Sequence, residues 1–404
     1  MSSFVKIRPF LHLLHYKQLL SLYLFVILLA LFFIQGVIVF RKFSLVSILL
    51  ALAGCADQPT DRAQQYLDGG FSSNLNKVSE IDSDRPSDFS AFKKQSAEVV
   101  NRSESMSLRY EELYVQLQKW IDESSNPAEL SAYGIQFAQM GGGDKQGNVM
   151  FTGYFSPVIE MRHTPNETFK YPIYDKPDCG SDCPTRAEIN AGVLSGLGLE
   201  LGYSDNMIDP FIMEVQGSGF IHFGEDDELK YFAYGGKNNH PYVSIGKVLI
   251  ERGEVERKDM SLKAIKEWVA KNDEATVREL LETNPSYVFF SPRDANHVLG
   301  TAGIPLLAGA AVAADRTLLP MGTPILAEVP QLDKEGKWTG KHILKVLLSL
   351  DTGGAVKENH LDQYYGMGSE AGIAAGHFKH FGRVWKLGLK DSETENPWEM
   401  PKKK

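Results

Sequence analysis

Apolar side chains along this chain either recur at a helical spacing or form short runs, and this difference separates predicted helices from predicted strands. Leu113, Leu117, Trp120 and Ile121 recur at steps of three and four residues, which predicts a helix that ends before Asn126-Pro127. Ser261 and Asp273 are placed to cap two further helices. Short apolar runs predict strands over residues 149–155, 210–215, 219–223, 230–234, 311–314, 323–329, 342–350 and 384–387. Short strands separated by Gly-rich turns favour a β-barrel or a β-sandwich.

The first 55 residues form a basic, apolar leader. They carry five Lys or Arg and no Asp or Glu, and residues 19–40 are long and apolar enough to span a bilayer. A shorter run over residues 43–52 follows Arg41-Lys42 and ends in Leu52-Ala-Gly-Cys55, which resembles a bacterial lipoprotein signal with Cys55 as the lipidated residue. Two membrane-anchoring helices, or translation that begins near Val39, are the alternatives. By the same resemblance, Ala56 in place of Asp indicates a lipid anchor in the outer membrane, facing the periplasm.

Charge and cysteine content exclude several classes of protein. The chain carries 42 Lys and Arg against 51 Asp and Glu, and without the leader the balance is 37 against 51. Such an acidic body would repel nucleic acid, so we expect no nucleic-acid partner. Three cysteines are too few for a disulfide scaffold, and the 43% of hydrophobic residues fits a folded globular protein.

Two pairs of residues have a spacing that suits either metal binding or a simpler role. With Cys55 lipidated, Cys179 and Cys183 remain as a pair, and in an oxidising compartment a disulfide within their loop is favoured over a zinc site. His377 and His380 are three residues apart, but no Glu completes a zinc motif. We therefore predict surface histidines and no metal site.

The densest group of chemically useful residues lies in the last quarter of the chain. Asp351 ends an apolar run and precedes Gly353-Gly354, Asp362 follows, and Asp315 lies upstream. A single Asp in such a place usually caps a turn, but three in one Gly-rich region favour a polar loop at the rim of a barrel. Asp351-Thr-Gly also resembles the motif of aspartic proteases. Those enzymes need two copies, so this chain would act in that way only as a symmetric dimer.

The three aspartates resemble the 3D segment of the membrane-bound lytic murein transglycosylase A family. The segment reads Asp315-Arg with Pro320-x-Gly-Thr, then Asp351-x-Gly-Gly-Ala-Val-Lys, then Asp362-x-Tyr-x-Gly-x-Gly-x-Glu-Ala-Gly. Further matches are Asn148-Val-Met-Phe-Thr-Gly-Tyr-Phe-x-Pro-Val, Pro184-x-Arg-Ala-Glu-Ile, Glu214-Val-Gln-Gly-Ser-Gly, Tyr234-x-Gly-Lys-Asn and Ser244-Ile-Gly-Lys-Val-Leu. The resemblance covers nearly all of the chain after Cys55. One departure is Glu358, where many relatives carry Gly, and it affects the turn at Lys357.

The resemblance implies a mainly β fold. A double-psi β-barrel domain would carry an inserted, smaller β-rich domain, with a groove between them for the glycan. Residues 96–157 and 291–390 would form the barrel, and residues 158–290 would form the inserted substrate-binding domain. Residues 1–55 are then the signal region. Residues 56–95 are predicted to be a tether because of their polar composition, and residues 391–404 are predicted to be a tail.

The resemblance also implies an activity. The family cleaves the β-1,4 bond between N-acetylmuramic acid and N-acetylglucosamine in peptidoglycan, and the muramyl C6 hydroxyl attacks C1 to leave a 1,6-anhydro end. Asp362 is the implied single acid/base, with Asp351 and Asp315 as supporting carboxylates and with no cofactor. One carboxyl suffices because the substrate supplies the nucleophile, whereas a glycoside hydrolase needs two.

The remaining expectations concern binding. The implied substrate-binding residues are Thr152, Gly153, Tyr154, Gln216, Ser218, Gly219, Tyr234, Lys237, Tyr364, Gly366 and Gly368. The implied partners are peptidoglycan glycan strands, the membrane through Cys55, and a complex of cell-wall synthesis proteins. Two alternatives stay open at this point: a peptidoglycan-binding double-psi barrel without catalysis, and a true glycoside hydrolase.

Overall fold

The computed structural model describes residues 62–180, 182–224, 228–257 and 259–390. The predicted leader with Cys55 and the tail at 391–404 lie outside these residues. The strands are β1 (Leu75–Lys77), β2 (Ile135–Met140), β3 (Val149–Ser156), β4 (Val158–Arg162), β5 (Tyr171–Tyr174), β6 (Glu200–Ser204), β7 (Gly219–His222), β8 (Leu229–Lys237), β9 (Val288–Arg293), β10 (Ala311–Ala313), β11 (Pro324–Leu332), β12 (Trp338–Asp351), β13 (His360–Met367), β14 (Lys379–Gly382) and β15 (Val384–Leu389).

Helices connect these strands. They are α1 (Ser90–Arg102), α2 (Glu104–Glu123), α3 (Arg186–Asn190), α4 (Ile208–Gln216), α5 (Ile245–Glu251), α6 (Leu262–Lys271), α7 (Glu274–Glu282) and α8 (Gly368–His377), with a 3₁₀ helix over Pro127–Tyr133. The predicted periodic helix is α2, and Leu113, Leu117 and Trp120 are buried on its inner face. Ser261 and Asp273 cap α6 and α7, as predicted, because each side chain accepts a hydrogen bond from the first turn.

The strands form two sheets. The nine-stranded sheet has the order β1-β2-β15-β11-β12-β10-β13-β3-β14, and the six-stranded sheet has the order β5-β6-β4-β7-β8-β9. The first sheet takes its strands from both ends of the described chain, whereas the second takes its strands from one continuous middle stretch. The mainly β fold class is thereby confirmed. The double-psi connectivity and the domain boundaries stay predictions.

The strand predicted over residues 210–215 is wrong, because this segment forms α4. Phe211, Ile212 and Met213 are all buried, on successive faces of the helix. A helix surrounded by protein carries a continuous apolar run, and periodicity alone does not distinguish such a run from a buried strand.

The polar tether predicted over residues 56–95 is wrong from residue 62 onward. β1 pairs with β2, and α1 buries Phe92. The polar residues of this segment bind a buried carboxylate: Glu328 is 0% exposed and accepts hydrogen bonds from Tyr66, from Ser83 at 2.6 Å and from Arg383 at 2.7 Å. Polar composition therefore does not indicate a solvated segment here, because the polar groups are satisfied inside the protein.

A buried ion pair fixes α4 against its neighbours. Arg186 donates to both carboxylate oxygens of Glu214, at 3.0 and 2.8 Å, and to the backbone carbonyls of Asn284 and Ser286. Glu214 also accepts from the backbone N–H of Val288 at the start of β9. Since α4 ends only two residues later, at Gln216, this pair sets the position of that end of the helix.

We predict that Arg186→Met lowers the free energy of unfolding by about 3–5 kcal/mol, because it leaves Glu214 buried without a partner. Urea denaturation measures the loss. The matched control is Arg252→Met, which removes a bidentate but exposed pair with Glu279 and is expected to cost about 0–1 kcal/mol. Equal losses in the two variants would contradict the importance assigned to the buried pair.

Candidate active site

One row of paired residues crosses five strands of the nine-stranded sheet. Asp351, at the end of β12, and Asp362, on β13, both pair with Ala313 of β10. Asp362 also pairs with Thr152 on β3, and Thr152 pairs with Lys379 on β14. Residues paired across neighbouring strands point to the same face of a sheet. The register therefore places the Asp362 carboxyl, the Thr152 hydroxyl and the Lys379 side chain on one face.

The alternation of β13 explains why Asp362 points away from the core. Leu361 is 0% exposed and packs in the apolar cluster with Val149 and Phe151 of β3. Side chains at i and i+2 share the opposite face, so His360 and Asp362, which are both half-buried, point away from this cluster. Because Leu361 is fixed in the core, the position of the neighbouring Asp362 carboxyl on the sheet is fixed as well.

Asp362 has an unusual electrostatic environment. Its Oδ1 lies 2.6 Å from Oγ1 of Thr152, which donates to it when the carboxyl is ionised. Burial raises the pKa of Asp362 to about 6, a hydrogen bond that Thr152 donates to the ionised carboxyl acts in the opposite direction, and the charge of Asp351 raises the pKa further. Among the described residues no Lys, Arg or His forms an ion pair with it. The residue keeps partial exposure, so its proton is accessible to a ligand.

Asp351 is held more firmly than Asp362. Its Oδ1 accepts from the backbone N–H and the hydroxyl of Thr301 and from the backbone N–H of Thr352. Its Oδ2 accepts from the Tyr154 hydroxyl at 2.9 Å. This carboxylate is fixed in direction by donors on three sides, which suits an electrostatic role and leaves proton transfer to Asp362.

Asp315 lies in the loop two residues beyond Ala313. It accepts from the backbone N–H of Glu358 at 3.1 Å and from the backbone N–H and hydroxyl of Thr317. The hydrogen bond from Glu358 is the largest cause that lowers the pKa of Asp315. Glu358 has φ +51°, in the left-handed region that favours glycine. A Gly at this position would adopt the turn without strain, and Asp315 ties the turn to the strand ends.

Comparisons with known proteins agree on one family. A family model for the MltA specific insert domain matches residues 150–291, and one for the 3D domain matches residues 310–388. The membrane-bound lytic murein transglycosylase A of Vibrio cholerae is 64% identical over 364 residues, which cover 90% of this chain and 99% of that protein. The chain belongs to the membrane-bound lytic murein transglycosylase A family.

Solved structures support the same assignment. The crystal structure of Escherichia coli MltA with bound chitohexaose matches with a TM-score of 0.79 at 45% identity, over 83% of this chain and 100% of that chain. The Escherichia coli protein of the same family name is 46% identical over 342 residues, which cover 84% of this chain and 93% of that protein.

Several family-matched residues predicted to bind substrate have partners inside the protein. Thr152 contacts Asp362, and the Tyr154 hydroxyl contacts Asp351. The Tyr364 hydroxyl lies 3.1 Å from Oγ of Ser156. Gly153 lies directly against α8, where a Cβ would come within 2.8 Å of the backbone of Ala375. These contacts indicate that the residues build and orient the acid's surroundings, and a direct role in sugar binding stays a prediction for them.

Gln216, the last residue of α4, makes a hydrogen bond with β3. Its Oε1 accepts from the backbone N–H of Phe155 at 3.0 Å, three residues beyond Thr152 on β3. The following residues Ser218 and Gly219 lead into β7, and Gly219 is buried against Met213. The end of α4 therefore lies beside the strand that carries Thr152.

The other predicted binding residues lie further along the two sheets. Tyr234 is 53% exposed and Lys237 is also exposed, both on β8. Gly366 and Gly368, at the junction of β13 and α8, have φ of +106° and +87°. Only glycine adopts such angles readily, so these two residues are required by the turn itself.

Sequence reasoning missed two residues near the aspartates, of which one contacts Asp351 directly and the other contacts the Thr152 partner of Asp362. His360 Nε2 lies 2.8 Å from the Thr152 hydroxyl, and Thr301 donates twice to Asp351. A His two positions before an Asp becomes a usable signal once the segment is known to be a strand, because the alternation then places both on one face. Thr301 lies far from the motif in sequence and gave no such signal.

The residues considered for metal binding have other roles. Cys179 and Cys183 are joined in a disulfide. The surface position predicted for His380 is wrong, because its ring is 5% exposed and lies beside Phe378. Within the described ranges, no group of three or more His, Cys, Asp or Glu is arranged to hold a metal ion.

We predict that Asp362→Asn stabilises the protein above pH 6 and has little effect below pH 4. Near pH 3 the wild-type carboxyl is protonated in both the folded and the unfolded state. As pH rises from about 4 to 6, the unfolded state releases this proton first, because only the folded state has the raised pKa. The wild type therefore loses about 3 kcal/mol over this interval, and the Asn variant does not.

Urea denaturation at several pH values between 4 and 8 measures this difference. The exposed Asp84 offers a control, since Asp84→Asn removes the same charge from the surface. A constant difference between Asp362→Asn and wild type across this range would contradict a raised pKa.

Proposed function

We propose that this protein is a lytic transglycosylase that cleaves the β-1,4 bond between N-acetylmuramic acid and N-acetylglucosamine in peptidoglycan and leaves a 1,6-anhydromuramyl end. The observation that carries the proposal is Asp362, a half-buried carboxyl whose pKa burial raises to about 6, within the residues that match the 3D domain. Relatives that carry the lytic murein transglycosylase name, and an Escherichia coli relative with bound chitohexaose, support the reaction and the polysaccharide substrate.

The reaction needs one proton to be given and then taken back. Protonated Asp362 donates to the glycosidic oxygen while the bond from that oxygen to C1 of the muramyl residue breaks. The C6 hydroxyl of the same residue then bonds to C1, and its proton passes to the ionised Asp362. A pKa near 6 suits both steps, because each form of the carboxyl is substantially populated close to neutral pH. No water enters, and the enzyme returns to its starting state.

The other two aspartates have supporting roles in this proposal. Asp351 places a directed negative charge near Asp362, which raises the pKa of Asp362 and stabilises positive charge that develops on the sugar ring. Asp315 affects Asp362 indirectly, because it accepts a hydrogen bond from Glu358 in the turn that leads into β13. Loss of Asp351 should therefore reduce turnover more than loss of Asp315.

Substrate contacts are proposed from position and exposure. Gln216 and Ser218, at the end of α4, are placed to contact sugar hydroxyl or acetamido groups beside β3. Tyr234 offers an exposed aromatic face for stacking, and Lys237 offers a cation for muramyl or peptide carboxylates. Gly366 and Gly368 leave the backbone open to a close approach by the glycan.

Attachment to the outer membrane through a lipidated Cys55, facing the periplasm, completes the proposal. The Leu-Ala-Gly-Cys sequence and the membrane-bound relatives support it. Within residues 62–390, apart from the undescribed positions, no helix is both long and apolar enough to cross a bilayer.

We predict that Asp362→Asn lowers the release of anhydromuropeptides from sacculi by about 10²–10⁴-fold, because an amide donates no acidic proton. Binding to sacculi and the folded state should remain, since Asn keeps the shape of the side chain. Chromatography with mass detection measures the products, and Asp84→Asn is the control variant.

Two results would contradict the proposal. One is wild-type turnover in Asp362→Asn, which would remove Asp362 from the chemistry. The other is products from the wild-type enzyme that are one water heavier than anhydro ends, which would identify a hydrolase.

A further inference from the structure

His360 contacts the acid's only close hydrogen-bonding partner among the described side chains. Its Nε2 lies 2.8 Å from Oγ1 of Thr152, which in turn lies 2.6 Å from Oδ1 of Asp362. On the other side of the ring, Nδ1 lies 3.3 Å from the backbone carbonyl of Ala355. The four groups form one chain from a backbone carbonyl to the carboxyl of Asp362.

The number of available protons fixes the direction of this chain when the imidazole is neutral. A neutral imidazole has one N–H and one acceptor nitrogen, and a carbonyl only accepts. The contact with Ala355 therefore requires the proton on Nδ1, which leaves Nε2 as an acceptor. Thr152 must then donate its single proton to Nε2. Its short contact with Asp362 is satisfied only if the carboxyl of Asp362 is protonated and donates to Thr152.

We propose that His360 is a positioning residue that holds Asp362 in its protonated, proton-donating form through the hydroxyl of Thr152. The proposal rests on the function proposed for Asp362 and adds a second cause, besides burial, that keeps its carboxyl protonated. A hydrogen bond to the ionised form of a carboxyl lowers its pKa, whereas one accepted from the neutral form raises it. His360 decides which of these two bonds Thr152 makes.

The surroundings of His360 support a neutral ring. Burial lowers its pKa, the bond to Ala355 acts in the opposite direction, and the charge of Lys379 lowers it further. Lys379 pairs with Thr152 from β14 and so faces the same side of the sheet. Near pH 7 the ring is therefore an acceptor for Thr152.

Other titratable groups also face Asp362. Asp351 from β12 raises the pKa of Asp362, and Tyr154 on β3 and Tyr365 on β13 interact electrostatically with it. Lys379 faces the row from β14, and Asp315 with Lys357 lies in the loops at the strand ends. None of these groups contacts Thr152 by a side-chain hydrogen bond in the described residues, so the Thr152 proton responds to His360 and Asp362.

The same row of hydrogen bonds also favours the return of a proton to Asp362 in the second half of the reaction. After Asp362 has given up its proton, the Thr152 hydroxyl rotates and donates to the carboxylate. The lone pair of Nε2 then faces an oxygen without a proton between them, which disfavours this state. Asp362 is therefore driven to recover a proton from the C6 hydroxyl.

The test compares the pH dependence of kcat/KM in the wild type and in five variants. His360→Phe removes the acceptor, so Thr152 is free to donate to the ionised carboxyl, and the basic limb should move to lower pH by about one unit. His360→Gln keeps an acceptor at a similar reach, so its basic limb should lie close to that of the wild type. His163→Phe, which changes a stacked histidine on Phe223, is the matched control and should leave the profile in place.

The direction in which Thr152→Val moves the basic limb shows whether Thr152 accepts from Asp362 or donates to it. In the wild-type background it removes the acceptor for the protonated acid, so the basic limb should move to lower pH. In the His360→Phe background it removes a donor to the ionised acid, so the limb should move to higher pH. A shift to higher pH in both backgrounds, with no shift from His360→Phe, would overturn the proposal.

The ¹⁵N NMR spectrum of His360 in the wild-type protein tests the same hydrogen bonds without substrate and without any substitution. We expect the neutral ring to carry its proton on Nδ1 with Nε2 as the acceptor, and the ¹⁵N shifts to change as Asp362 titrates. A spectrum with the proton on Nε2 throughout would overturn the proposal. If Asp362→Asn stayed fully active, the proposed function itself would fail. Loss of activity in Asp362→Asn without the sign reversal would defeat only the role of His360.

Discussion

Burial of the Asp362 carboxyl beside Thr152, with no cation paired to it in the described part of the chain, is the constraint on which the rest of the site depends. A carboxyl in such a place resists ionisation, because its charged form loses hydration and gains no opposite charge. The fold imposes this position through Leu361, whose burial in the core fixes the face to which Asp362 points. The same carboxyl in a solvated loop would be a far weaker proton donor near neutral pH.

The two sheets contribute to one site through a short chain of contacts. Arg186 holds Glu214, Glu214 fixes α4, and the last residue of α4, Gln216, accepts from the backbone of β3. The motifs that carried the family resemblance therefore divide into two kinds. In the proposed mechanism Asp362 and Asp351 take part in the chemistry, whereas Arg186 and Glu214 fix the position of α4.

Sequence reasoning reached the fold class and the three aspartates because both depend on local patterns. Short apolar runs predicted seven of the fifteen strands of the described chain, and Asp362 stood in a motif with its glycines. Apolar content alone did not separate α4 from a strand, since a helix buried on all sides loses its amphipathic signal. Polar composition likewise hid the ordered segment after residue 62, whose polar groups serve the buried Glu328. The link from His360 to Thr152 joins residues 208 positions apart, and strand register had to be known before it could be seen.

The measurement that tests this account most directly is the titration of the Asp362 carboxyl carbon by ¹³C NMR, with the resonance assigned by its absence in Asp362→Asn. The account predicts a single titration near pH 6 in the protein without substrate. A titration near pH 4, the range of an exposed aspartate, would contradict a buried proton donor and with it the proposed chemistry.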